Sequence, residues 1–249
     1  MLDVASPIYE CNPNSRWMTV GDGRYGSDAA YLLGRGLSAI ATSLTGDLLS
    51  RAHDLGFIEE FRAENAEKLS MGDKVFDFVL CKESYHHFPR PPVALYEMIR
   101  VAKCGVVLIE PVDNPRILNW FRTFVKKVLR GDPSYEFEPS GNFLYRTSML
   151  ELRKLLMAMD GDAFAYKGFN DFFVASLSNY KASGFNLGNI VTRLGIAVQD
   201  FLARIHLMGY GLACIVVFNA TPANSLLDVL RANGFSVERL PKNPYAGAS

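Results

Sequence analysis

Apolar residues recur along the chain in short blocks that alternate between strand-like and helix-like spacing. Arg16 to Val20 is a short apolar block running into glycine, and Ser27 to Leu33 follows with alanines and leucines that favour helix. Leu37 to Ala41 (LSAIA) predicts a second buried strand, Asp47 to Leu55 a second helix, and Phe57 to Arg62 a third strand. Val75 to Cys81 (VFDFVLC) is β-branched and aromatic, as a central strand is. Pro92 to Ala102 (PVALYEMIRVA) carries apolar residues at helical spacing, with its start marked by Pro91 and Pro92. Gly105 to Ile109 (GVVLI) is continuous rather than alternating, the pattern of a parallel strand covered on both faces. Five strand–helix repeats within about 110 residues predict a doubly wound open α/β sheet.

After Pro111 the rhythm breaks. Asn114 to Asn142 sets prolines and glycines around an aromatic-rich helical stretch and predicts an insertion over the sheet edge. Thr147 to Met159 predicts a helix opened by TSMLE, a polar residue with a glutamate a few positions on. Ala163 to Val174 is aromatic and extended, Leu187 to Met208 helical, and Leu212 to Phe218 (LACIVVF) another buried strand. Ser225 to Val237 predicts a helix and a strand joined at Gly234, and Pro241 to Ser249 a loose tail. There is no internal repeat, and the 249 residues predict a single domain.

Charge narrows the partners. The 26 basic and 26 acidic residues cancel, so nothing in the overall charge draws the protein to nucleic acid or to an anionic membrane, and a small, modestly charged substrate fits better. Cys11, Cys81, Cys104 and Cys214 are scattered without metal-ligand or CxxC spacing, two of them within apolar runs that read as buried strands. They predict reduced thiols in a cytoplasmic protein. No basic-plus-apolar signal opens the chain, and its apolar runs are far shorter than the roughly 20 residues that cross a bilayer, so no transmembrane segment is expected. Leu118 to Leu129 (LNWFRTFVKKVL) mixes aromatics with bases and reads as a surface-packed amphipathic helix, with contact to a membrane surface as the alternative.

Val20 to Ala29 (VGDGRYGSDA) spaces its glycines G-x-G-x-x-G between a predicted strand and helix. Glycines let backbone pass tightly against a ligand, and the following helix presents free N–H groups at its positive end. A dinucleotide fingerprint carries an acid about 20 positions on, for the ribose hydroxyls. Ala41-Thr42-Ser43 holds no acid there, which counts against NAD, is compatible with NADP, and weakens an S-adenosylmethionine assignment as well. By itself the turn leaves the cofactor open.

Further segments extend the pattern: AENAEKL at Ala63 to Leu69, Phe76-Asp77-Phe78-Val79 with Tyr85-His86-His87-Phe88, LYEMIRV at Leu95 to Val101, and VLIEP at Val107 to Pro111. With the glycine turn, and in this order, they make residues Arg16 to Asp113 resemble the class I S-adenosylmethionine-dependent methyltransferases of the type 11 kind. The resemblance implies S-adenosylmethionine as cofactor and a seven-stranded, mostly parallel, Rossmann-like sheet with an aromatic-rich helical lid. Residues 16–113 become the cofactor-binding core, 114–210 the lid and acceptor-side elements, and 211–249 a C-terminal strand–helix–strand and tail. It further implies that Gly21, Asp22, Gly23 and Gly26 wrap the amino-acid and ribose end of the cofactor. Ser43 and Leu44 then flank ribose and adenine, Asn65 and Ala66 reach the adenine edge, and Cys81 and Lys82 close over the methionine part. Two departures stand out: Thr19 and Ser43 occupy positions where the family has acids. Asp22 is a partial substitute for the first, holding the ammonium group, and a serine makes one hydrogen bond where a carboxylate makes two charge-assisted ones, a loss of about 1–3 kcal/mol.

Methyl transfer from a sulfonium asks the protein to align a nucleophile and, for a hydroxyl, to remove its proton. His86 and His87 follow the fourth strand and are candidates for that base, the alternative being that one ties loop backbone and the other packs on Phe88. Glu83 beside them lacks the further ligands a metal site needs, so no metal is expected. Glu110 and Asp113, beyond the fifth strand, are candidate walls of an acceptor pocket or else helix caps. Tyr145 and Arg146 could orient a polyhydroxylated acceptor, with core packing as the alternative. Trp120, Phe121, Phe124, Tyr135, Phe137, Phe143, Phe169, Phe172 and Phe173 predict an aromatic lid. The expected activity is O-methylation of a small or carbohydrate-type acceptor; a catalytically degenerate binding protein and an NADP-dependent oxidoreductase are the competing expectations.

Overall fold

The computed structural model describes residues 1–113, 143, 145–171 and 187–244. A short 3-10 turn at Leu2–Ala5 leads into α1 (Ser6–Cys11), which the apolar spacing did not announce. Then strands and helices alternate: β1 (Arg16–Val20), α2 (Ser27–Gly34), β2 (Ser38–Ser43), α3 (Asp47–Asp54), β3 (Glu60–Ala63), β4 (Phe76–Lys82), a 3-10 turn (Tyr85–His87), α4 (Pro91–Val101) and β5 (Ala102–Asp113). The second half contributes β6 (Thr147–Ser148), α5 (Met149–Ala158), β7 (Ala163–Phe169), α6 (Leu187–Arg204), β8 (Leu212–Phe218), α7 (Asn224–Ala232) and β9 (Ser236–Arg239). The predicted insertion from Asn114 to Asn142, and with it Trp120, Phe121, Phe124, Tyr135 and Phe137, lies outside the described residues, as do Phe172 and Phe173.

The strands join one sheet in the order β3-β2-β1-β4-β5-β8-β7-β9, with β6 attached to the end of β5. Among the described residues it has nine strands, where seven were expected. β6, two residues beside Val112 and Asp113, was not expected; β9, four residues on the outer edge of β7, is the strand expected after Gly234. β3, β2, β1, β4 and β5 run parallel, so their carboxyl ends share one edge. β8 lies antiparallel to both β5 and β7.

Alternation along each strand divides the core into two layers. Met18, Ile40, Val79, Val106 and Leu108 face α4 and α5, which contribute Ala94, Leu95, Met98, Leu152 and Leu156. Trp17, Ala39, Phe78, Val107 and Ile109 face the opposite side, against Ile8, Ala29, Leu32, Leu49 and Leu227. Trp17 stacks on Phe78 at 4.8 Å between ring centroids, which fixes β1 against β4 through side chains as well as backbone. With both faces covered, the sheet's chemistry is confined to its edges and loops, and the carboxyl edge carries the glycine turn.

Candidate active site

The glycine turn leaves β1 and is held on both sides. Asp22 N–H donates to Thr42 O (2.9 Å) on β2, and Ser84 Oγ–H donates to Gly21 O (2.9 Å) from the exit of β4. Gly21 has φ +76, and a Cβ there would stand 2.5 Å from Ser84 Cβ, so only glycine lets the two loops touch. Asp22, 4 % exposed, turns its carboxylate inward: Oδ1 accepts from Asp28 N–H (3.1 Å), and Oδ2 accepts from Ala29 N–H (2.9 Å) and the Thr19 hydroxyl (3.0 Å). Burial raises its carboxyl, and those backbone donors from Ala29 and Asp28 pull it back. Asp22 thus satisfies the first turn of α2 and carries the negative charge that a helix N-terminus favours. Both carboxylate oxygens are engaged in this capping role.

A cleft of about 660 Å³ opens beside the turn, lined by Gly21, Asp22, Gly23, Arg24, Ser27 and Asp28 on one side. Lys82, Glu83, Ser84, His86, His87 and Pro111 line the other, with Arg146 and Asp171 at the rim. Its size falls in the range of cofactor pockets, and the tight glycine backbone lets a ligand approach closely. Lys82 Nζ stands 3.3 Å from Asp28 Oδ1, and burial first, then Asp22, pushes the Asp28 carboxyl up to about 6.

His86 is 5 % exposed and its Nδ1 lies 2.6 Å from Glu110 Oε2. Glu110, at the end of β5, is 1 % exposed; its Oε1 accepts from Ser84 N–H (2.9 Å) and Tyr85 N–H (3.0 Å), the open end of the Tyr85–His87 turn. One carboxylate therefore both caps that turn and holds the imidazole. A carboxyl acceptor at Nδ1 favours the tautomer that donates there, leaving Nε2 as the nitrogen that can serve the cleft. His87 is exposed beside it, ring centroids 4.0 Å apart. Glu83 N–H donates to Ile109 O (2.9 Å) while Glu83 itself takes φ 48, a left-handed bend that turns the chain out of β4 toward the cleft.

Several residues expected in the site stand elsewhere. Cys81 is fully buried with its thiol 3.9 Å from Glu110 Oε1, and burial, then Glu110, keeps that thiol protonated, so it lies beneath the cleft and does not close over a ligand. Glu110 is likewise a support under the cleft and not a wall of it. Asp113 is exposed and pairs through its backbone with Ser148. Tyr145 donates its hydroxyl to Glu151 and its N–H to His86 O (3.1 Å), which braces the turn; Arg146 alone of that pair lines the cleft. Ser43 abuts Gly23, Leu44 is exposed, and Asn65 accepts from Glu67 N–H with Ala66 buried beneath. These four follow β2 and β3 along the same edge without lining the cleft. Asp28, Arg24, Glu83 and Ser84 were missed: Asp28 sits in the first helical turn, where an acid reads as a favourable helix charge. Among the described residues no three His, Cys, Asp or Glu side chains stand together as a metal site, and no helix is long and apolar enough to cross a membrane.

Residues 18–109 match the family of the methyltransferase domain. No curated relative matches the chain in sequence. An S-adenosylmethionine-dependent methyltransferase from Methanosarcina mazei resembles it with TM-score 0.53 and 17 % identity, covering 82 % of this chain and 91 % of its own. YcgJ from Bacillus subtilis gives TM-score 0.53 and 17 % identity over 89 % of this chain and 100 % of its own. The [4+2]-cyclase SpnF gives TM-score 0.54 and 17 % identity over 88 % of this chain and 81 % of its own. At such identities these structures share the fold, and SpnF warns that the fold does not fix the reaction. Family match, sheet order and glycine turn agree: residues 18–109 match a methyltransferase domain, the fold is shared with S-adenosylmethionine-dependent methyltransferases, and S-adenosylmethionine is the cofactor this similarity implies.

Proposed function

We propose that the protein methylates a hydroxyl of a small or carbohydrate-type acceptor, with His86 as the base and Glu110 as the residue that orients it. The contact of 2.6 Å between His86 Nδ1 and Glu110 Oε2, at a histidine lining the cleft, carries this proposal. S-adenosylmethionine, when bound, supplies a methyl group on a sulfonium centre. Gly21 and Gly23 give it close backbone approach. His86 then takes the acceptor proton at Nε2, while Glu110 keeps the ring in place and balances the charge the ring acquires. Arg146 and His87, at the mouth, meet the acceptor's polar groups. The overall neutrality of the chain supports an acceptor without large charge.

Calorimetry with S-adenosylmethionine and S-adenosylhomocysteine comes first, followed by transfer of a tritiated methyl group to a panel of sugars, polyols and phenols. His86→Ala is expected to lower kcat by about 100- to 10,000-fold while S-adenosylhomocysteine affinity changes by no more than about twofold. Undiminished turnover in that variant removes His86 as the base. Absence of binding of either ligand at millimolar concentration removes the whole proposal. A second possibility, a fold that binds without turnover, draws support from Thr19 and Ser43 standing where the family has acids. Any turnover by the unmodified chain eliminates it.

A further inference from the structure

The cleft holds an ion pair that proton removal does not use. Asp28 lies in the first turn of α2, Lys82 ends β4, and Lys82 Nζ approaches Asp28 Oδ1 to 3.3 Å. Asp28 is 5 % exposed and the lysine side chain retains 19 % of its surface. Taking two ions this far out of water costs about as much as their attraction returns, so such a pair gives the fold little net stability. It does give the cleft a fixed negative pole and a fixed positive pole beside Gly21 and Gly23. Glu83 Oε2, 3.8 Å from Lys82 Nζ, adds negative charge on the far side of the lysine.

A ligand that complements two adjacent opposite poles is itself a zwitterion, with an ammonium and a carboxylate on one carbon. The methionine end of S-adenosylmethionine is such a group. The acid that the family places at position 19 is a threonine here, and its hydroxyl is turned onto Asp22 (3.0 Å). Asp22 in turn accepts from two backbone N–H groups of α2. Both residues that would ordinarily be asked to hold the ammonium are therefore engaged with each other and with the helix.

We infer that Asp28 and Lys82 grip the amino-acid end of the cofactor, Asp28 facing its ammonium and Lys82 its carboxylate, in place of the acid absent at Thr19. The inference rests on the S-adenosylmethionine assignment above. On binding, each partner exchanges one internal contact for one to the ligand, so charges stay paired throughout and the cofactor's ends are told apart by sign.

The test compares two nucleoside thioethers by titration calorimetry on the full chain: S-adenosylhomocysteine, which carries the amino-acid end, and 5′-methylthioadenosine, which lacks it. The unmodified protein is expected to prefer S-adenosylhomocysteine by at least about tenfold. Lys82→Met and Asp28→Asn are each expected to bring that preference to within about threefold, with 5′-methylthioadenosine affinity unchanged, which also reports an intact cleft. An undiminished preference in both variants overturns the grip and leaves the cofactor assignment standing. Loss of both ligands in both variants marks the pair as scaffold and overturns it equally. An unmodified chain that binds neither thioether overturns the grip and the cofactor assignment together.

Discussion

Glu110 has its two oxygens shared among Ser84 N–H, Tyr85 N–H and His86 Nδ1, with the Cys81 thiol alongside. Removing such an acceptor leaves several buried donors unmet, so Glu110→Ala is expected to lower unfolding free energy by about 2–4 kcal/mol, read from urea denaturation. Asp28 behaves differently with pH. Its folded carboxyl is pushed from 3.8 up to about 6, first by burial, then by Asp22, against the pull of Lys82 and with Glu83 adding to the rise. The folded state therefore binds the proton more tightly than the unfolded chain. The stability tied to this group is fully present below about pH 4 and is lost as pH rises to about 6, roughly 3 kcal/mol in all. Urea midpoints of the unmodified protein should fall relative to Asp28→Asn between those pH values and run parallel above pH 7; parallel curves throughout would contradict the shift. The sequence offered both His86 and Glu110 as candidates, yet not as a pair. Which way Glu110 turns depends on the register of β4 against β5, Lys82 opposite Ile109, which no local pattern encodes.

Apart from α1, the strands and helices from β1 to β5 were legible to within a few residues because their apolar spacing changes from strand-like to helix-like from one block to the next. β8 matches its expected span of Leu212 to Phe218, and all seven of its residues are buried. Its direction was not legible, since a run covered on both faces looks the same whether its neighbours are parallel or antiparallel. The antiparallel seam leaves its mark in Gly105, where a Cβ would lie 2.4 Å from Val217 O. Gly105→Ala forces β5 and β8 apart and is expected to cost about 2–4 kcal/mol, measured by denaturant unfolding. The expected helix from Thr147 begins two residues later, because Thr147 and Ser148 first pair with β5. The cap is Ser148, whose Oγ accepts from Glu151 N–H (3.1 Å), while the Glu151 side chain accepts from the Tyr145 hydroxyl and does not reach back to the cap. Ser148→Ala should lower the melting temperature by the few degrees that correspond to about 1 kcal/mol.

Across the molecule, one doubly wound sheet was readable from the alternation of periods, and the strand expected after Gly234 stands as β9, while the two-residue β6 was not readable, being too brief to carry a period. All four cysteines are free thiols. Cys81 and Cys214 have no exposed surface, and burial pushes the Cys214 thiol up to about 12; Cys104 is half-buried and Cys11 exposed. An aromatic disulfide reagent should accordingly find one fast thiol in the native protein, abolished by Cys11→Ser, and all four after denaturation. The position of β8 between β5 and β7 bears on how the chain is made. β5 leaves the ribosome with its Gly105-to-Pro111 flank destined for a partner about a hundred residues further along, so throughout that interval the nascent chain displays a bare, apolar hydrogen-bonding rim. A ribosome stalled before residue 212 would hold a chain without β8 that invites intermolecular strand pairing, and chaperone capture should drop sharply once β8 emerges.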